Sequence, residues 1–283
     1  MQVYNSLKSL PQFKKQVCLS IGVFDGVHLG HKKILDTLKA ESQGNTYKMV
    51  ITFSNHPKSI LNKNAETKWI IPLAKRLELF QHIGIDFVVV LPFDKKLSET
   101  SYIDFFKTLK SFIPITKLIV GADAKFGKNR EGTKENIEKL NLFDLVYIEK
   151  KIIDSCAISS NSIRSFLKEG NIDLVEKMLG RPYSLLLPGI TEQQCSNPQH
   201  CISYINAAHI CSPPTGSYSV VVRCKGVSIR ATIVFPPKGV KRYDLKLIAL
   251  SPLPISHPLE LHFMSLTYNS TYLNTKTLNN KVR

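Results

Sequence analysis

The sequence has no apolar run that approaches the roughly 20 residues of a bilayer-spanning helix. Its first residues also lack the apolar core of a signal peptide. These two absences predict a cytoplasmic protein with no membrane partner. Low-complexity tracts are absent too, and 43% of the residues are hydrophobic, which is typical of folded globular domains rather than of disordered chains.

The six cysteines include no Cys-x-x-Cys pair, which favours reduced, buried thiols over a disulfide framework. Several Cys and His residues do cluster late in the chain, but their spacing matches no zinc-binding pattern. These residues are Cys195, His200, Cys201, His209 and Cys211. We therefore assign no residue as a metal ligand.

Acidic residues are scarce, with 22 Asp and Glu against 38 Lys and Arg, so the formal net charge is +16. This excess favours anionic partners, which include nucleic acids, membrane surfaces and phosphorylated small molecules. The lysines are scattered rather than grouped, and no segment resembles a nucleic-acid-binding module. We therefore favour a solvated basic surface over a nucleic-acid face and expect no nucleic-acid partner.

The stretch from Cys18 to Leu35 reads as a buried strand, a glycine-containing turn and the start of a helix near Gly30. Gly26 and Gly30 are expected to permit backbone conformations that a Cβ would penalise. A helix N-terminus favours anions, and His28 and His31 stand three residues apart at this point. On its own, such a His pair indicates a metal site or a surface feature more often than catalysis.

Strand-like and helix-like segments alternate from this point, which predicts parallel crossovers and an open α/β sheet whose ligands gather at the carboxyl ends of the strands. The predicted strands are residues 17–24, 47–53, 86–91, 117–121 and 145–149, and the predicted helices include 32–41, 72–84, 102–112 and 172–179. The loops after the first and fourth of these strands should face each other.

From Ser184 onward, short apolar stretches alternate with proline and glycine turns, which predicts a small antiparallel β-barrel. A chain of 283 residues is also long enough for two cores. We therefore predict one domain at residues 1–183 and a second at 184–283.

Five motifs resemble those of one family. The segment Gly22-Val-Phe-Asp-Gly-Val-His-Leu-Gly-His31 is similar to the His-x-Gly-His signature of nucleotidyltransferases, in the form found in prokaryotic FAD synthetases, the bifunctional riboflavin kinase/FMN adenylyltransferases. The other matching segments are 52–57, 121–127, 158–164 and 179–183. The resemblance implies a Rossmann-like nucleotidyltransferase domain that uses ATP and FMN to give FAD and pyrophosphate, with Mg²⁺ as cofactor.

The resemblance also implies site roles. His28 and His31 would act on the α-phosphate and the leaving pyrophosphate, Arg164 and Ser160 would hold the β- and γ-phosphates, and Asp123 would face the flavin or a metal. Taken alone, Ser160 is a typical helix N-cap. The remaining binding positions are Gly22, Phe24, Gly30, His56, Phe126 and Ser159. The chain departs from the family pattern at Asn55, Ala124 and Asn161, and the lost aromatic ring at 124 would loosen the flavin or nucleotide pocket.

The predicted barrel resembles the riboflavin kinase module, with similar segments at Pro214–Val220 and Leu259–His262. Glu260 would then be the base that takes the riboflavin hydroxyl proton, although an exposed strand glutamate is equally in keeping with the pattern. The module's glycine loop and the Gly-x-Pro-Thr-Ala-Asn segment after it have no counterpart, because the corresponding region reads Gln199-His-Cys-Ile-Ser-Tyr-Ile-Asn206. We therefore expect a degenerate module whose kinase activity is in question.

Two alternatives stay open. One is another His-x-Gly-His nucleotidyltransferase with a different phosphorylated acceptor, such as pantetheine phosphate or nicotinamide mononucleotide. The other is a catalytically silent protein that binds flavin, nucleotide or nucleic acid, although intact His28, His31 and Arg164 argue against it.

Overall fold

The computed structural model describes residues 1–42, 44–62, 67–187, 210–235, 246–249 and 259–264. The chain divides into two compact units, Met1–Ser160 and Asn161–Arg283. The domain boundary predicted after residue 183 stays a prediction. Among the described residues, no helix combines the length and the apolar character needed to cross a membrane.

The first unit is built on a parallel sheet. Its strands are β1 (Gln2–Tyr4), β2 (Gln16–Ile21), β3 (Thr46–Phe53), β4 (Phe87–Leu91), β5 (Ile115–Gly121) and β6 (Asp144–Ile148). They are ordered β1-β4-β3-β2-β5-β6, and every adjacent pair is parallel. The α/β class predicted from the alternation of elements is confirmed. The edge strand β1 was not predicted, because three largely exposed residues carry no usable periodicity.

The helices of the first unit connect these strands. They are α1 (Leu29–Glu41), α2 (Pro57–Leu61), α3 (Leu73–Ile83), α4 (Lys95–Glu99), α5 (Tyr102–Phe112) and α6 (Lys134–Glu138), and a short hairpin follows, β7 (Ile152–Ile153) with β8 (Cys156–Ala157). In α1 the predicted apolar stripe Ile34, Leu35 and Leu38 is buried against the sheet. Helix α3 ends at Gly84, whose φ of 91° is left-handed and suits glycine.

The strand order reverses between β2 and β5, because the chain leaves β2 toward β3 on one side and later returns to pair β5 on the other. The carboxyl ends of these two strands therefore border the crevice where open α/β sheets bind ligands. This places the loop that follows Ile21 opposite the loop that follows Gly121. The predicted facing of the two loops is confirmed.

The second unit contains α7 (Ser160–Glu169), which starts at the last residue of the first unit, and α8 (Ile172–Leu179). Its strands are β9 (Ser184–Leu187), β10 (Gly216–Cys224), β11 (Val227–Phe235), β12 (Lys246–Ala249) and β13 (Leu259–Phe263). They form an antiparallel sheet in the order β12-β11-β10-β13-β9. Alternate residues of β10 are buried, which is the pattern of a sheet with one face on a core. The antiparallel architecture agrees with the predicted barrel-like domain.

Candidate active site

The loop between β2 and α1 has an unusual backbone. Strand β2 ends at Ile21, so the predicted extension of this strand to residue 24 was wrong. Phe24, Gly26 and Val27 have φ values of 52°, 84° and 38°. Left-handed backbone is ordinary for glycine but costs energy in a phenylalanine and even more in a β-branched valine. Surrounding contacts must therefore hold the loop in this shape.

Arg76 of α3 provides one set of these contacts. Its side chain is fully buried, and its guanidinium donates hydrogen bonds to the carbonyl oxygens of Val23 (2.7 Å) and Phe53 (3.0 Å). A third bond reaches the Thr52 hydroxyl (3.0 Å), which itself donates to the Val23 carbonyl (3.0 Å). The guanidinium also lies over the Trp69 ring, 4.3 Å from its centroid. One buried cation thus fixes the first residues of the loop.

Asp25 provides the second set, and only 1% of its surface is exposed. Its carboxylate accepts hydrogen bonds from the backbone N–H groups of Ile70 (3.0 and 3.1 Å) and Ile71 (3.3 Å). Its backbone carbonyl accepts from the Ser160 hydroxyl (2.9 Å). Burial lowers the pKa of Arg76 to about 10, and the nearby charge of Asp25 opposes this shift, so Arg76 is cationic at neutral pH.

His28 and His31 form a stacked pair at the start of α1. Their ring centroids are 3.6 Å apart with an interplanar angle of 15°, and Phe24 packs edge-on against His31 at 5.2 Å. His28 is the N-cap of the helix, and its Nδ1 accepts the backbone N–H of His31 at 3.2 Å. Because Nδ1 is an acceptor, the neutral His28 ring carries its proton on Nε2, where it can be donated to a ligand.

Gly30 is required for a different reason from the one predicted. Gly26 does adopt a left-handed backbone, but Gly30 does not, so the expectation of a special conformation at Gly30 was wrong. A Cβ on Gly30 would lie 3.1 Å from Nδ1 and 3.2 Å from Cε1 of His28. Glycine at position 30 therefore leaves the space that the imidazole ring of His28 occupies.

A cavity of about 240 Å³, which we call the histidine cavity, opens at this point. Eight of the predicted site residues line it together: Gly22, Phe24, His28, Gly30, His31, Asp123, Ser159 and Ser160. They come from the loop after β2, the loop after β5 and the end of the first unit at Ser159 and Ser160. The crossovers of the first unit thus bring three separate sequence motifs to one rim of the sheet.

Two charged residues of the histidine cavity were missed from the sequence. Glu149 and Lys150 follow β6 and line the same cavity. Lys150 Nζ lies 2.9 Å from a carboxylate oxygen of Asp123, so the predicted flavin- or metal-facing aspartate carries an ion pair. Their position just beyond the carboxyl end of a parallel strand was the available signal.

A second cavity of about 410 Å³, the phenylalanine cavity, adjoins the first. Phe53, Phe93, Phe105 and the predicted Phe126 line it, and Arg130 is also part of its wall. Ile21, Gly22 and Ala124 line both cavities. The two cavities therefore share one wall, and that wall consists largely of small side chains.

Three predicted site residues lie elsewhere. His56 caps α2, where its Nδ1 accepts the N–H of Lys58 (3.2 Å) and its ring lies 5.3 Å from Trp69; it lines neither cavity. Arg164 belongs to the second unit, where it is buried in α7 and donates to the Asn161 side-chain oxygen (3.2 Å). Its predicted convergence with the two histidines stays a prediction.

Glu260 also belongs to the second unit. It lies on β13, accepts a hydrogen bond from the Ser184 hydroxyl (2.8 Å), and has a carboxylate oxygen 3.4 Å from His262 Nε2. The segment that should correspond to the kinase glycine loop, residues 199–206, lies outside the described residues, as do four of the five clustered Cys and His residues. The predictions made for these residues stay predictions.

Comparison with known proteins decides the family. The FAD synthetase family model matches residues 10–162. The chain belongs to the FAD synthetase family. The match contains the stacked histidines, the buried hydrogen bonds of Asp25 and of Arg76, and both cavities, so the geometry described above is that of a family member.

Similar curated proteins of this family carry the name bifunctional riboflavin kinase/FMN adenylyltransferase. One from Buchnera aphidicola subsp. Schizaphis graminum is 32% identical over 196 residues, which is 65% of this chain and 61% of that protein. One from Listeria monocytogenes is 30% identical over 59% of this chain and 54% of its own length, and one from Bacillus subtilis is 29% identical over 74% and 68%. The matches thus span between about half and two thirds of these relatives.

A solved structure supports the fold alone. The crystal structure titled macrolide-efflux protein from Streptococcus pneumoniae has a TM-score of 0.83 and 19% sequence identity. The match covers 98% of this chain and 93% of that one.

Proposed function

We propose that this family member is an FMN adenylyltransferase. In the reaction, an oxygen of the FMN 5′-phosphate attacks the α-phosphorus of ATP, a new phosphorus–oxygen bond forms, and the bond to pyrophosphate breaks. The products are FAD and pyrophosphate. The observation that carries this proposal is the pair of adjoining cavities, one with stacked imidazoles at a helix N-terminus and the other with aromatic walls.

The histidine cavity suits the triphosphate. The first backbone N–H groups of α1 and its helix dipole favour a bound anion. His28 Nε2 can donate a hydrogen bond to a phosphoryl oxygen, and a protonated His31 beside it can stabilise charge as pyrophosphate leaves. Because the loop before α1 is held by buried hydrogen bonds, these donors need little rearrangement when the substrate arrives.

The phenylalanine cavity suits the acceptor. A flat flavin ring is apolar over most of its faces, and phenylalanine rings can stack on it or meet it edge-on. The shared wall of Ile21, Gly22 and Ala124 would lie where the FMN phosphate reaches the α-phosphate of ATP. This neighbouring aromatic cavity favours FMN over an acceptor without a fused ring system.

The donor set of the histidine cavity also fits a magnesium ion. Mg²⁺ prefers oxygen ligands and is commonly held by one or two carboxylates together with substrate phosphates. Asp123 and Glu149 supply carboxylates on the cavity wall. Bound there, the ion would screen the charge of the triphosphate.

The test is to incubate purified protein with Mg-ATP and either FMN or riboflavin and to separate the flavins by chromatography. We expect FAD from FMN and no FMN or FAD from riboflavin, since we propose that the second unit is silent as a kinase. FAD from both substrates would refute that part of the proposal. If the protein gives no product from FMN but adenylylates pantetheine phosphate or nicotinamide mononucleotide, the proposal that FMN is the acceptor is refuted.

Single variants test the residue roles. His28→Ala and His31→Ala should each lower the rate of FAD formation about 10²- to 10³-fold, the usual cost of one such donor. His82→Ala is the matched control, because His82 is exposed on α3 and lines neither cavity. Near-normal rates in the two cavity variants would show that the assigned roles are wrong.

A further inference from the structure

Lys150 is a positively charged residue that lines the histidine cavity, and none of the sequence motifs contains it. Strands β5 and β6 are paired so that Gly121 lies opposite Ile148, and the Ala122 N–H donates to the Ile148 carbonyl (3.0 Å). This pairing sets Asp123 and Lys150 side by side just beyond the sheet. Both residues line the cavity, and both are partly exposed, with 67% and 46% of their side-chain surface accessible.

The charges of the cavity wall are poorly matched to a triphosphate without this lysine. Two carboxylates line the cavity, those of Asp123 and Glu149, together with two imidazoles. Among the lining residues that the structure describes, Lys150 is the single Lys or Arg. A permanent positive charge in this wall of the first unit therefore comes from Lys150.

The ion pair that holds Lys150 is easy to exchange. Solvent-exposed pairs contribute only ~0–1 kcal/mol, because water screens the attraction and two flexible side chains are ordered. A lysine carries a compact charge on a long flexible stem, so its ammonium can move a few ångströms without moving the backbone. A polyanionic phosphate entering the cavity would offer it a stronger partner than Asp123.

We propose that Lys150 is a phosphate-binding residue of the nucleotide site. When the nucleotide binds, the ammonium leaves the Asp123 carboxylate for a phosphate oxygen, and the carboxylate is released for a cation or for the acceptor. This inference rests on the proposed function only in assuming that the histidine cavity takes a nucleoside triphosphate. It does not depend on which acceptor is used.

The experiment compares Lys150→Met, which keeps the length of the stem and removes the charge, with Lys151→Met. Lys151 is the matched control because it is the next residue, lies beside a different surface depression near Lys32 and Asp36, and does not line the histidine cavity. Its carbonyl bond to the Ile158 N–H (2.9 Å) involves backbone atoms and survives the substitution. Thermal unfolding of both variants checks that they are folded.

Binding of Mg-ATP and of adenosine is measured by isothermal titration calorimetry. We expect Lys150→Met to weaken ATP binding about tenfold, the usual effect of losing one hydrogen bond to a charged group, and to leave adenosine binding unchanged. Lys150→Arg should retain most of the ATP affinity. Unchanged ATP affinity in Lys150→Met, or equal losses for ATP and adenosine, would overturn the proposal.

The kinetic readout separates this inference from the proposed function. With FMN as acceptor, Lys150→Met should raise the KM for ATP and leave the KM for FMN nearly unchanged. If the unaltered protein binds ATP but makes no FAD, the proposed acceptor is wrong while the ATP-selective loss in Lys150→Met still supports the lysine. If the unaltered protein does not bind ATP, both proposals are refuted.

Discussion

Replacing Arg76 by methionine tests whether the buried network holds the loop that carries the histidines. The substitution removes three hydrogen bonds, to Val23, Thr52 and Phe53. The Val23 carbonyl keeps its bond from the Thr52 hydroxyl, but the Phe53 carbonyl and the Thr52 hydroxyl lose the donor that Arg76 supplies. It also removes a positive charge that interacts electrostatically with the buried Asp25 carboxylate. Leaving one buried acceptor without its donor typically costs ~1–3 kcal/mol, so two such groups amount to ~2–6 kcal/mol.

That cost is large compared with the free energy of unfolding, which is typically ~5–15 kcal/mol for a domain. For a domain of this size, each kcal/mol lowers Tm by ~2–4 °C, so Arg76→Met should lower it by roughly 4–24 °C. The effect should be constant between pH 6 and 8, because the Arg76 pKa of about 10 keeps the guanidinium charged throughout that range. Calorimetry or circular dichroism during heating measures the shift.

A double-mutant cycle shows whether Asp25 and Arg76 act as one unit. Asp25→Asn removes the carboxylate charge and keeps an oxygen that can accept from the Ile70 N–H. If the two residues are coupled, the double variant should lose clearly less stability than the sum of the two single variants. Additive losses would refute the coupling of the two residues. A loss below about 1 kcal/mol in Arg76→Met would refute the structural role of the buried guanidinium.

Three further changes test other parts of the molecule. Gly30→Ala should lower kcat for FAD formation ~10- to 100-fold while the fold survives, because the added Cβ displaces the His28 ring; unchanged kcat would contradict this. Ala124→Phe should lower the KM for FMN ~2- to 10-fold and change the KM for ATP less, since the ring adds an aromatic contact in the phenylalanine cavity although residue 124 also borders the histidine cavity; a higher KM for FMN would count against it. Burial raises the pKa of Glu176, and a backbone hydrogen bond from Tyr183 opposes this shift only in part. Folding therefore favours the protonated form, and this contribution to stability is lost as the pH rises through the raised pKa. Glu176→Gln should therefore raise Tm at pH 7.5 and have little effect near pH 4, and equal shifts at both pH values would be the contrary result.

The local features of the first unit could be predicted because they depend on neighbours in sequence. Apolar runs identified the buried strands, and the spacing of Ile34, Leu35 and Leu38 identified α1. The loops after β2 and β5 could be placed opposite each other, since alternating strands and helices determine which ends of a parallel sheet meet. The histidines were recognised from a motif, and the structure adds that their rings stack.

Arg76 and Lys150 could not be identified in the same way, because their partners are distant in sequence. In a helix, the pair Lys75-Arg76 is typical of a solvated face. The partners of Arg76, however, are the carbonyl oxygens of Val23 and Phe53, which are far from it in sequence. Lys150 was one of many scattered basic residues until the pairing of β5 and β6 placed it beside Asp123. A charge count reports how many such residues exist but carries no information about which one lines a cavity.

The strained loop shows why motif and scaffold must be considered together. Phe24 and Val27 adopt backbone conformations that their side chains disfavour, each at a cost of the order of 1–3 kcal/mol. The energy that offsets this strain comes from Arg76, from the Ile70 and Ile71 N–H groups that bind the Asp25 carboxylate, and from the Ser160 hydroxyl, all of which lie outside the loop. A protein that kept the ten-residue motif but lost these contacts would retain the histidines without their stacked geometry. The motif therefore identifies the chemistry, while the buried polar network determines whether the two imidazoles can perform it together.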